Sequence, residues 1–197
     1  MRWILTHEKF LDEAQVEQFR KTLEETVARG KKKGLYLPVR DYTILELALG
    51  TGLRVSEISN LKVTDLNLKK GQNMLIVRSG KGGKMRQVKF SSKLSSILQD
   101  YLDYRHRDTE HVFYSERQDK MTISAIQRVF KKYAKKAGLP GHYSIHSLRH
   151  TYGTLLYKRS GHNLRMVQKQ LGHNSPVTTA VYADIFDEDL EDALENL

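Results

Sequence analysis

Cysteine is absent from this 197-residue chain, so disulfides and cysteine-ligated metal centres are excluded, a pattern that fits a reducing compartment. No run of 18 apolar residues occurs, so no helix is expected to span a membrane. The N-terminal stretch MRWILTHEKFLDE has no long apolar segment and soon turns acidic, unlike a secretory signal. Internal repeats and low-complexity tracts are also missing. What remains is a chain of one-domain length with 39% hydrophobic residues, ordinary for a globular protein able to bury a core, and the cytoplasm is its expected location.

Charge is unevenly spread. The net charge is +10, yet residues 183–197 hold seven acidic residues and no basic one, which leaves +17 on residues 1–182. A body that positive suits a polyanion. The acidic tail is suited instead to packing on protein. In it Phe186, Leu190 and Leu194 recur at i, i+4, i+8, with Leu197 near the same stripe. Such a helix either folds back on its own domain or is donated to a neighbouring protomer.

Local signals give a mainly α architecture (α+β) with one small antiparallel sheet. Asp12 reads as an N-cap for a helix carrying Val16, Phe19, Leu23 and Val27, which should fade near Gly30 into a basic loop over residues 30–34. Pro38 suits a first helical turn ahead of a buried helix containing Ile44, Leu45, Leu47, Ala48 and Leu49, broken at Gly50 and Gly52. A helix from about Arg54 to Leu61 follows. Residues 74–79 and 85–90 read as strands around the Gly-rich turn GKGGK, a β-hairpin, and residues 111–115 (HVFYS) as a short third strand. Ser92 or a neighbour should cap a helix to Tyr104, and Thr122 precedes one to about Ala137, ended by Gly138 and Pro140. Further helices are expected near 145–158, 164–171, 176–182 and 187–196.

Four short stretches carry chemistry. In GTGLRVSE (residues 50–57), Arg54 and Glu57 lie three apart and share a helix face. An arginine fork holds two phosphate oxygens at once, and a glutamate can hold the fork. In HSLRH (146–150), His146 and Arg149 repeat that spacing, pairing an imidazole that can exchange a proton with a cation that balances phosphate charge. His150, four residues after His146, raises a metal alternative. The zinc motif on a helix requires glutamate directly after the first histidine, and Ser147 stands there, so no metal is expected and His150 reads as a hydrogen-bonded residue near the core. In LGHNSPVTTAVYADI (171–185), His173 precedes Tyr182 by nine residues. A free phenol has a pKa of about 10 and needs cations or a base to act as a nucleophile. Of ten tyrosines most must be structural, Tyr152 in TYGTLL among them. Finally, GKGGK offers Lys81 and Lys84 at a mobile tip. A lysine there can enter the DNA minor groove and protonate a departing 5′ oxygen, help worth about 10²–10⁴ in rate. The same stretch fails the nucleotide-binding loop pattern, because no Ser or Thr follows the lysine and strands flank it. Two arginines, two histidines and a tyrosine suit one substrate, a phosphodiester held by cations and attacked by a phenol.

In this order the stretches resemble the boxes of the tyrosine recombinases, also called the phage integrase family, over residues 40–185. The resemblance implies a helical DNA breaking-rejoining core (residues 1–182) followed by the tail helix (183–197). It implies catalytic roles for Arg54, Lys81, His146, Arg149, His173 and Tyr182, with Glu57 in support, and selects Lys81 over Lys84. It further implies double-stranded DNA as partner, a 3′-phosphotyrosyl intermediate, no cofactor, metal or ATP, tetramers on two DNA duplexes, and association with the nucleoid. Family members usually carry an N-terminal core-binding domain, and here the catalytic domain starts almost at once, as expected of a fragment or of a naturally minimal recombinase. Type IB topoisomerase activity, which uses the same chemistry, and a DNA-binding regulator without catalysis are the competing readings.

Overall fold

A computed structural model describes residues 6–78, 85–173, 175 and 177–183. Helix α1 (Glu13–Lys32) starts where expected: the Asp12 side chain accepts from the Gln15 backbone N–H at 2.7 Å, and the Gln15 side chain accepts from the Asp12 N–H at 3.1 Å. The helix runs through Gly30 rather than ending there. A Cβ on Gly30 would lie 2.6 Å from the Cβ of Pro38, so the glycine permits a close helix crossing instead of a break. Lys31 and Lys32 are therefore helical, and the stop comes at Gly34, whose φ is +64°.

Helix α2 (Tyr36–Thr51) is buried on nearly every side and packs against α1, α4 and α6, which explains its lack of a polar stripe. Gly52 ends it in the left-handed region at φ +63°, its N–H bonded to Ala48 O. Helix α3 (Val55–Asn60) follows at once. The sheet has order β1-β2-β3, all antiparallel: β1 (Leu66–Asn67), β2 (Met74–Val77) and β3 (Arg86–Lys89). The expected β2–β3 hairpin forms, with Val77 opposite Arg86.

The third strand lies elsewhere than expected. Residues 111–115 make one isolated bridge, His111 to Lys62, whereas β1 precedes the hairpin. Val112, Phe113 and Tyr114 are all fully buried, so their apolar run reflects a segment threaded through the core. Its backbone bonds go to Leu61, Met121 and the Tyr101 hydroxyl.

Helices α4 (Ser92–Tyr104), α5 (Ile123–Lys136), α6 (Ile145–Arg159) and α7 (Leu164–Leu171) match expectation, capped at their starts by the side chains of Ser91, Thr122 and Asn163 for α4, α5 and α7. Helix α8 (Val177–Ala180) is shorter than its expected span. The expected tail helix lies outside the described residues, as do Lys81 and Lys84. No described helix is long and apolar enough to cross a membrane.

Two apolar clusters result. The large one joins α1 to α5, the sheet and the start of α6 around Phe19, Ile44, Leu75, Leu98 and Phe130. The small one gathers Phe10, Tyr157, Val167, Leu171, Val181 and Tyr182, tying α7 and the residues just after α8 to α6.

Candidate active site

Arg54 stands at the N-terminal end of α3 in extended conformation, set there by the left-handed turn at Gly52 two residues earlier. Its Nη1 donates to Glu57 Oε1 at 3.0 Å, and its backbone N–H donates to Glu57 Oε2 at 2.8 Å. The Glu57 side chain is only 4% exposed and also receives a two-point fork from Arg86: Nη1 to Oε1 at 2.8 Å and Nη2 to Oε2 at 2.9 Å. Burial pushes this carboxyl up, but the hydrogen bonds and charges of Arg86 and Arg54 outweigh it and hold the group below the usual carboxylate range. One carboxylate thus balances one of two guanidinium charges.

Arg149 adds a third. It projects from α6 and is buried, held by main-chain carbonyls: Nη1 donates to Gly52 O at 2.5 Å and Nη2 to Leu171 O at 2.8 Å. Burial, then the nearby charge of Arg54, pulls its pKa down to about 10, so it stays protonated at neutral pH. Carbonyls orient a guanidinium without neutralising it. Among the described residues the pocket therefore keeps a surplus of positive charge, the electrostatics of an anion site.

His146, one turn before Arg149, is exposed, and its pKa is lowered by burial of part of the ring and by Arg149 and Arg54. A shift in that direction favours the neutral imidazole, the form that accepts a proton. His173 leaves the left-handed turn at Gly172 (φ +66°), and its Nδ1 lies 3.0 Å from Thr179 Oγ1. Burial first, then Arg149 and Arg54, pulls its pKa down to about 3. Tyr182 is 1% exposed, its ring nearly parallel to His173 at 8° with centroids 6.3 Å apart. A Cβ on Gly153 would stand 2.5 Å from that ring and 2.7 Å from its hydroxyl oxygen. Gly153, four residues after Arg149 on the same face of α6, is thus the seat of Tyr182. Burial raises the phenol to about 12, with Arg149 and Arg54 acting in the opposite direction.

Six of the seven residues singled out from sequence therefore share one electrostatic neighbourhood, and Lys81 lies outside the described residues. His150 is half-buried, its pKa pulled to about 4 by burial first and then by Arg149, His146 and Lys9. Tyr152 packs against Gly52 and Leu171, as expected. Among the described residues, no cluster of three or more His, Asp or Glu is disposed to hold a metal ion.

Arg86, Gly153 and Thr179 were not singled out from sequence. Arg86 carried a readable signal: it shares the inward phase of β3 with fully buried Val88, an unusual place for a charge.

The chain matches the phage integrase family over residues 9–189. It is 36% identical over 190 residues to tyrosine recombinase XerA of Pyrococcus furiosus, covering 95% of this chain and 62% of that protein. The crystal structure of XerA recombinase superposes with a TM-score of 0.78 at 30% identity, covering 98% of this chain and 65% of that one. XerH site-specific recombinase bound to its difH substrate in a pre-cleavage complex gives 0.77 at 25% identity, covering 94% and 53%. The chain thus spans between about half and two thirds of the length of these relatives. Ordered motifs, helical core and sequence matches agree: the chain belongs to the phage integrase family of tyrosine recombinases.

Proposed function

We propose that this chain is the strand-cutting and rejoining core of a site-specific DNA recombinase. The observation that carries the reading is the seat of Tyr182: a phenol packed on Gly153, one turn from a guanidinium held by main-chain carbonyls, with no carboxylate in ion-pair contact among the described residues. In the reaction, Tyr182 Oη attacks the scissile phosphorus and forms a 3′-phosphotyrosyl bond as the P–O5′ bond breaks. His146 accepts the tyrosine proton, and Lys81 gives a proton to the departing 5′ oxygen. Arg54 and Arg149 balance the charge on the non-bridging oxygens, His173 donates to one of them, and Glu57 holds Arg54. Preorganised charge of this kind usually contributes most to stabilising a pentacoordinate phosphorus. A 5′-OH from a second duplex then attacks the phosphotyrosine and restores a phosphodiester. One phosphoester is exchanged for another, so the cycle requires no ATP, and the arginines supply the charge stabilisation that a metal ion supplies elsewhere.

In the folded chain Tyr182 is enclosed and His173 is engaged by Thr179. Cutting therefore requires the arm carrying Thr179 and Tyr182 to lift from Gly153 as DNA enters. XerH is described bound to a DNA substrate, and the +17 charge of residues 1–182 suits the same partner here. Residues 184–197 join a neighbouring protomer in a tetramer on two duplexes. Removing them leaves cleavage measurable and abolishes cooperative assembly; unchanged assembly would refute the donation.

The test uses a randomised double-stranded DNA library carrying nicks. Wild-type chain traps a subset of duplexes as an SDS-resistant adduct, unaffected by EDTA. Tyr182→Phe traps none while still binding DNA. Site-independent relaxation of supercoiled plasmid would favour a topoisomerase instead, and binding without any adduct a regulator.

A further inference from the structure

Arg86 lies on β3, just beyond the turn that carries Lys81 in the sequence, and its side chain is 13% exposed. Its guanidinium reaches three ways. Nη1 and Nη2 grip the two oxygens of Glu57 at 2.8 and 2.9 Å, and Nε approaches Gln170 O at 3.4 Å. The stem lies across Gly172: a Cβ there would sit 2.5 Å from Arg86 Cδ and 2.7 Å from Nε. The same strand makes a second contact with α7, Lys89 N–H to Gln170 Oε1 at 3.2 Å. One side chain thus touches both the carboxylate that holds Arg54 and the turn from which His173 departs.

Neutralising Glu57 alone would not require this geometry. A lysine supplies the charge, but only a planar fork spans both carboxylate oxygens and fixes the carboxylate plane. Glu57 Oε1 is shared between Arg86 Nη1 and Arg54 Nη1, so rotation of the carboxylate carries Arg54 with it.

Resting on the recombinase reading above, we infer that Arg86 is a positioning residue for cleavage. It locks the Glu57 carboxylate so that Arg54 meets the phosphate in register with the His173 turn. Misplacement of a phosphate-binding group by about 1 Å is enough to cost roughly 100-fold in rate.

The experiment takes a nicked duplex trapped by the wild-type chain from the randomised library. It measures single-turnover adduct formation at saturating protein, DNA affinity and thermal midpoint. Arg86→Lys should form adduct about 100-fold more slowly, with DNA affinity and near-UV circular dichroism unchanged. Combined with Arg54→Ala, its loss should be far smaller than the product of the two single losses, because its effect runs through Arg54. Losses that multiply, or a slowing that tracks thermal midpoint alone, would reduce Arg86 to a structural ion pair and overturn the inference. So would a wild-type rate in Arg86→Lys. Should Arg86→Lys fail to fold, the Glu57→Gln/Arg86→Gln pair removes the buried carboxylate together with its partner. It should also be slow, and a wild-type rate there would equally overturn the inference. A wild-type chain that traps no duplex refutes the recombinase reading itself, a result separate from either.

Discussion

The two halves of the site are anchored differently. Arg54 and Glu57 are anchored in the large cluster by their neighbours Leu53, Val55 and Ile58, all nearly or fully buried, and Arg149 follows fully buried Leu148. Tyr182 belongs to the much smaller cluster and His173 stacks beside it, held by a few buried neighbours, a four-residue helix, one imidazole–hydroxyl hydrogen bond and the Gly153 seat. Apolar burial is the main source of local stability, so the cation half is a fixed template and the tyrosine half a weakly held arm. A phosphodiester exchange benefits from that division. On the proposed mechanism the electrostatic groups are preorganised before the transition state, whereas Tyr182, as the proposed nucleophile, leaves its seat to meet DNA and returns to it afterwards.

Gly153→Ala should break this division most strongly. The added methyl overlaps the Tyr182 ring, and overpacking of this kind costs about 1–3 kcal/mol. Amide hydrogen exchange across 177–183 should accelerate while α2 stays protected. The same variant should lower the titration midpoint of Tyr182 from its buried position near 12 towards that of a free phenol. Equal loss of protection in α2 would show that the two clusters open together.

Acidification should sharpen the contrast. The folded pKa of His173 is about 3 against 6.5 for a free imidazole, so the unfolded arm binds more protons between those values. Its contribution to stability is complete above pH 6.5 and falls as pH drops towards 3. His150, near 4, acts in the same sense through α6. Exchange across 177–183 should rise from pH 7 to pH 5, after correction for intrinsic rates, while the interior of α2 changes little. A pH-independent arm would remove His173 from this account.

The smallest effect belongs to Thr179→Val. It deletes one hydrogen bond to His173, worth about 0.5–1.5 kcal/mol. With the arm easier to lift, adduct formation should be unchanged or modestly faster. A large slowing would mean that Thr179 supports the cleaving state rather than the resting one.

The candidate site is legible in the sequence largely because its parts are local. Arg54 with Glu57 and His146 with Arg149 each span one helical turn, and His173 and Tyr182 flank a short segment. What the sequence does not supply is reach across the chain. The inward phase of β3 marks Arg86 as unusual but does not name its partner, because the grip on Glu57 joins residues 29 positions apart. Gly153 reads like any helical glycine until Tyr182 is placed against it. The departures in the fold have the same origin. Gly30 reads as a breaker, yet its use is contact with Pro38, and residues 111–115 read as a strand, yet their continuous apolar run passes through the core. In each case a tertiary neighbour decides between two uses of the same local pattern.

The central claim is that the phenol on Gly153 is the group that takes the phosphate. The direct measurement is mass spectrometry of the trapped adduct after nuclease and protease digestion. The account predicts a nucleotide remnant joined through a 3′-phosphate to the peptide containing Tyr182, at that side chain. A remnant on any other residue, or a 5′-phosphate linkage, would contradict it.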